Sequence, residues 1–141
     1  MQRNNPYEAY TNVNINTADQ RQLIMMLYDG ALRFMKKGIN KIEQQDFEGA
    51  HNYLVRSREI VAELLATLRP EKGGELGENL KRLYTYAFNR LVEANLLKDA
   101  TIVEEVIGIM STLRDGWAQI KTAGAKGTGK PDDARRISLT M

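Results

Sequence analysis

The chain has no cysteine, a single histidine and three prolines in 141 residues. Without cysteine there is no disulfide, no thiolate metal ligand and no thiol nucleophile, although that absence suits reducing and oxidising compartments alike. The lone histidine, His51, rules out the Glu-x-x-His pair, repeated on two helices, with which helical bundles hold two irons. An excess of one charge is missing as well. The 20 Lys plus Arg are matched by 18 Asp plus Glu, interspersed along the chain, so no broad basic field is available for a phosphate backbone and nucleic acid is not an expected partner. Nor does the chain open on a signal peptide or contain a run near the roughly 20 apolar residues of a membrane span; this predicts a cytoplasmic protein with no membrane insertion.

What is present is the composition of a folded protein, 43% hydrophobic and 27% charged, at a length that closes one hydrophobic core without staples. Thr17-Ala-Asp-Gln20 has the pattern of a capping box, and the apolar positions Leu27, Ala31, Phe34, Ile39 and Ile42 carry a first helix over about 18–43. Asp46 is placed to cap a second helix, 47–69, whose Phe47, Ala50, Tyr53, Leu54, Ile60, Val61, Leu64, Leu65 and Leu68 share one stripe. Pro70 and Gly73-Gly74 then interrupt the pattern. A third helix follows over 75–97 with Leu76, Leu80, Leu83, Tyr84, Ala87, Leu91 and Ala94. Asp99 reads as the cap of a fourth, 100–121, with Ile102, Val106, Ile109, Met110, Leu113, Trp117 and Ile120. Short connections force consecutive helices to lie antiparallel, so the fold class is all-α, an up-down-up-down four-helix bundle over residues 17–122. Residues 1–16 read as a mobile N-terminal arm and 123–141 as a flexible C-terminal tail.

The sequence offers no catalytic chemistry. Gly124-Ala-Lys-Gly-Thr-Gly129-Lys130 has the spacing of a phosphate-binding loop, but Pro131 stands where the magnesium-holding hydroxyl belongs, and no strand precedes it to aim the amides. Carboxylates such as Glu43, Glu48, Glu59 and Glu63 are accounted for by a solvated helix face. His51 falls at the border of the second helix's stripe, a rim position. No enzyme, catalytic residue, cofactor or metal is expected.

One feature exceeds the needs of a bundle. On a helical projection the apolar residues of the first helix spread over about 200°, with Met26 alone on the polar side. The surplus edge consists of Tyr28, Leu32, Met25 and Ile39, and Val55, Leu96 and Ile107 lie outside the stripes of the other helices. A contiguous exposed apolar edge marks a partner site, and methionines suit one that must adapt. The N-terminal arm, a second copy of the chain or a helical segment of another protein could each cover it, and a third bundle neighbour or the arm could bury it permanently.

Asn5-Pro-Tyr-Glu-Ala-Tyr10, then Thr17-Ala18, then Leu23-Ile-Met-Met-Leu-Tyr-Asp-Gly30 resemble the flagellin export chaperone family, FliS. Ile60-Val-Ala-Glu-Leu64, Leu83-Tyr-Thr-Tyr86, Leu91-Val-Glu-Ala-Asn95 and Leu113-Arg-Asp-Gly-Trp117 continue the resemblance in order, from Asn5 to about Lys121. The resemblance implies an antiparallel helical bundle that binds the disordered C-terminal segment of newly made flagellin, blocks premature polymerisation and brings flagellin to the type III export gate. Tyr7 and Tyr10 match the family's N-terminal tyrosine pair. With the apolar surplus, the partner-binding set becomes Tyr7, Tyr10, Met25, Met26, Tyr28, Leu32, Ile39 and Ile107. Leu23, Leu27, Leu64, Leu83, Leu91 and Trp117 are assigned to the core, while Asn95 is either a buried cap or a client contact. The tail's Ile137, Leu139 and Met141 alternate with polar residues and are expected to fold back or enter a neighbour's groove as a client mimic. Self-association through arm or tail is thereby allowed. The rival reading is a self-associating structural bundle that uses the first helix's edge as a dimer seam.

Overall fold

The structure, a computed structural model, describes residues 17–126. Four helices follow one another: α1 Thr17–Glu43, α2 Phe47–Ala66, α3 Pro70–Leu97 and α4 Ala100–Lys126. Neighbours run in a ring, α1 against α2, α2 against α3, α3 against α4 and α4 against α1. This is the all-α bundle that the apolar spacing predicts. Among the described residues there is no strand.

The corners are built by local chemistry. In the first, Gln45 takes a left-handed conformation with φ 63, and the Asp46 carboxylate accepts the Gly49 backbone N–H at 2.9 Å, capping α2 as its sequence position suggests. Lys41 closes on the same carboxylate at 3.4 Å. Both interactions stabilise the ionised form and hold the Asp46 carboxyl below its ordinary value, the Gly49 hydrogen bond contributing most. A Cβ at Gly49 would sit 2.6 Å from an Asp46 oxygen, so a larger residue there has to displace the capping carboxylate.

The second corner differs from expectation. α2 ends at Ala66 rather than 69, with the Thr67 hydroxyl donating to the Leu64 carbonyl at 2.6 Å. Arg69 is extended, φ −114, as a residue before proline prefers, and Pro70 opens α3 where its missing N–H costs nothing. The break expected at the glycine pair is present inside α3: Gly74 has φ 56 and ψ −146, and the regular helix resumes beyond it. At the third corner Lys98 is left-handed, φ 51, and Asp99 accepts the Thr101 N–H at 2.9 Å. α4 continues to Lys126, past the expected residue 121.

The core runs the length of the ring. Leu23, Ile24, Leu27, Ala31 and Met35 of α1 meet Leu54, Val61 and Leu64 of α2, Tyr84, Ala87 and Leu91 of α3, and Val103, Val106 and Met110 of α4. α1 and α2 approach closely at Gly38, where a Cβ would lie 2.8 Å from the Leu54 side chain. α1 and α3 are diagonal, yet they are joined through the centre by a hydrogen bond between the Tyr28 and Tyr84 hydroxyls. Burial raises both phenols well above the ordinary tyrosine value, and the hydrogen-bonding Trp117 indole works in the opposite direction on each.

Candidate partner surface

The structure closes most of the α1 edge that the sequence leaves open. Tyr28 is 0% exposed and Leu32 8%, while Met25 and Ile39 are half-buried against the core. α4 is the reason. It lies along that shoulder of α1, with Arg114 binding Asp29 at 2.8 Å, and Tyr28 projects to the bundle axis, where it meets Tyr84. A 200° apolar arc is therefore about what a helix needs when it has a neighbour on each side and a diagonal partner in the middle. Of the residues expected at a partner surface, Met26 alone on α1 stands open, at 46%. Ile107 is half-buried against the core. Tyr7 and Tyr10, with Ile137, Leu139 and Met141, lie outside the described residues.

Exposed apolar area is concentrated on α3 instead. Leu83, assigned to the core from the sequence, is exposed, as are Tyr86, Leu96 and Leu97. Leu83, Tyr86 and Leu97 fall on the side of α3 that turns toward α4, about 60 to 120° from the buried Leu80 on the projection. Half-buried Leu76 continues the strip. The α3–α4 pairing is the sparsest of the four, and these side chains stand exposed beside it.

A polar stitch crosses the seam. The Tyr86 hydroxyl donates to one Glu105 oxygen at 2.6 Å, and the Arg90 guanidinium donates to the other at 2.9 Å and to Glu93 at 2.6 Å. The Tyr86 hydrogen bond, then Arg90, depress the Glu105 carboxyl below its ordinary value; the same bond raises the Tyr86 phenol, and Glu105 raises Arg90. All of these groups are at the surface, where such bonds hold helices together weakly. The signal for the strip was in the sequence, since Tyr86 and Leu97 sit off α3's stripe on the same flank as Leu83. It was hidden because Leu83 fits the stripe's edge equally well.

A second exposed apolar group marks the end of the bundle where α2 begins and α3 ends. Phe47 is exposed there, as is Leu96. Beside Leu96, Asn95 is buried and ties α2 to the end of α3. Its side-chain nitrogen donates to His51 Nδ1 at 2.9 Å, while Lys98 donates to its side-chain oxygen at 2.9 Å and its carbonyl at 2.7 Å. Asn95 is thus a corner lock, and His51 sits on the rim as its stripe position suggests. Among the described residues there is no group of three metal-ligating side chains, and no helix is long and apolar enough to cross a membrane.

The comparisons with known proteins converge on one family. The family described as flagellar protein FliS matches residues 3–124. The chain is 38% identical over 118 residues to the flagellar secretion chaperone FliS of Salmonella typhimurium, covering 80% of this chain and 87% of that one. It is 36% identical over 115 residues to the protein of that name from Bacillus subtilis, covering 82% and 85%. For the Campylobacter jejuni protein of the same name the identity is 35% over 120 residues, covering 85% and 94%. With a four-helix ring, an exposed apolar strip beside α4 and a match over most of its length, the chain belongs to the FliS family of flagellar proteins.

Proposed function

We propose that the chain is an export chaperone that holds the C-terminal segment of newly made flagellin in the cytoplasm, prevents premature filament polymerisation and presents flagellin to the flagellar type III export gate. The observation that carries this reading is the strip of Leu83, Tyr86 and Leu97, exposed beside α4 at the sparsest of the four helix pairings. The relatives' shared name, flagellar secretion chaperone, supports it.

A segment built to pack against neighbouring subunits carries apolar faces, and a bundle with an apolar strip offers a substitute for those neighbours. Helical pieces of the client lie along the α3–α4 seam and continue over Leu96 and Phe47 at the bundle's end. Burying about 1,500 Å² at about 25 cal/mol per Å² supplies tens of kcal/mol gross, most of it cancelled by ordering the client and by association. The result is tight binding that reverses without nucleotide hydrolysis. Met26, with half-buried Met25, Ile39 and Ile107, extends the contact where the client reaches around α1 and α4. Tyr28 and Leu32 enter as supports beneath that surface. Tyr7 and Tyr10 serve as a movable cover or an export contact. The dimer-seam reading draws on Leu32, which is buried, and Met25, which is half-buried.

Calorimetric titration of a flagellin C-terminal peptide tests the proposal. Leu83→Asp and Leu97→Asp each replace an exposed leucine, so helix content should be retained. Losing a buried leucine contact of about 1.5–3 kcal/mol weakens binding roughly 10- to 100-fold. Two variants that bind as tightly as the parent would refute the site.

A further inference from the structure

The outer ridge formed by the second half of α1 and the middle of α2 has a different chemistry from the apolar strip. Between Asp29 and Glu43 the sequence carries Arg33, Lys36, Lys37 and Lys41 and no carboxylate. Arg33, Lys37 and Lys41 recur at four-residue intervals and make one row along the side of α1 that faces α2. Beneath the row, half-buried Phe34 stacks on Tyr53 of α2, with ring centroids 6.0 Å apart and planes 25° apart.

Three cations surround this ring pair. The guanidinium carbons of Arg33 and Arg56 lie 5.4 Å and 5.1 Å from the centre of Phe34, and the Lys37 ammonium lies 5.7 Å from that of Tyr53. Nearby carboxylates do not neutralise them. Asp29, one turn before Arg33, is held by Arg114 at 2.8 Å, and Asp46 by Lys41 at 3.4 Å. Glu59, one turn beyond Arg56, makes no ion pair with it among the described residues. A cation resting against a ring keeps its N–H groups free to donate, so the rings position the charges without using up their hydrogen-bonding capacity.

We infer that this ridge docks an acidic segment of a partner protein, at a place separate from the client strip on α3. Clustered like charges with unused donors are relieved by incoming carboxylates, and Arg in particular can bind them bidentately. Arg33 and Lys37 stand one helical turn apart, so a partner helix carrying a carboxylate on successive turns can meet both. Nucleic acid fits poorly, since the ring faces are taken by each other and by cations, leaving none for a base to stack on. A membrane fits poorly too, because no large apolar side chain between Arg33 and Lys41 or around Tyr53 and Arg56 is exposed for insertion.

Fluorescence anisotropy with a labelled decaglutamate peptide tests the inference on the full chain at low ionic strength. The parent is expected to bind, with affinity falling as salt screens the charges. Arg33→Gln/Lys37→Gln/Arg56→Gln should lose at least tenfold, and Arg56→Gln alone about threefold should the triple variant fold poorly by circular dichroism. Lys81→Gln/Arg82→Gln, which removes two exposed cations from α3, should bind as the parent does. The inference is overturned if the ridge variants bind normally, if the α3 variant loses as much, or if a ten-nucleotide oligothymidine or phosphatidylserine vesicles bind more tightly than the peptide. Affinity for the flagellin C-terminal peptide should be unchanged in the ridge variants. A parallel loss there would refute the separateness of the ridge while leaving the export reading to its own test.

Discussion

The Tyr28–Tyr84 pair allows a stability prediction whose form is unusual. Tyr28 is 0% exposed and Tyr84 1%, so neither hydroxyl can turn to water when its partner is removed. Their hydroxyls hydrogen-bond each other. Tyr28→Phe leaves the buried Tyr84 hydroxyl without that partner, and Tyr84→Phe does the same to the Tyr28 hydroxyl. In the double variant both hydroxyls are gone. Each single variant therefore strands a buried hydroxyl, at about 1–3 kcal/mol, whereas replacing both partners by apolar rings of the same shape costs little. The double variant should cost no more than either single one, well short of their sum, giving a coupling of at least about 1 kcal/mol. Urea unfolding read by Trp117, the sole tryptophan, with m-values checked for constancy, measures the cycle. Additive costs within about 0.5 kcal/mol would refute the shared network.

The same pair makes the fold alkali-sensitive. Both phenols are raised in the folded state, so the unfolded chain releases protons above its tyrosine value of about 10 while the folded chain keeps them. Stability is thus fully present below that pH and falls as pH rises beyond it, and the Tyr28→Phe/Tyr84→Phe variant should fall less steeply in urea midpoints taken from pH 9 to 11. At the acid end, Asp46 has a depressed carboxyl, so its cap is present above the ordinary carboxylate range and is lost as pH falls through and below it. Asp46→Ala should lower the urea midpoint at pH 7 and narrow the difference from the parent at pH 2 to 3; an equal difference at both pH values would count against the capping charge.

The helices were legible because apolar residues recur with helical period and because Asp46 and Asp99 stand where α2 and α4 begin. The ring order was legible because connectors this short leave no alternative to adjacent, antiparallel helices. The partner surface was harder to read. A projection gives the width of an apolar arc but not which neighbour lies on which shoulder. The Tyr28, Leu32 and Met25 flank therefore looked spare, although α4 covers it and Tyr28 crosses to the diagonal helix. Leu83 shows the converse. It belongs to α3's stripe by period, yet the sparse packing of α3 on α4 leaves it open, and packing density is not written in the spacing of one helix. The Phe34–Tyr53 ridge depends on two helices being brought together, so its cations appeared in the sequence only as part of a balanced total.

The central claim, that the client lies on the α3–α4 seam, is tested most directly by methyl NMR of the leucine-labelled chain with and without the flagellin C-terminal peptide. The Leu83 and Leu97 methyls should shift on binding, while Leu27, Leu54 and Leu64 in the core stay in place. A complex that forms with Leu83 and Leu97 unperturbed would contradict the account.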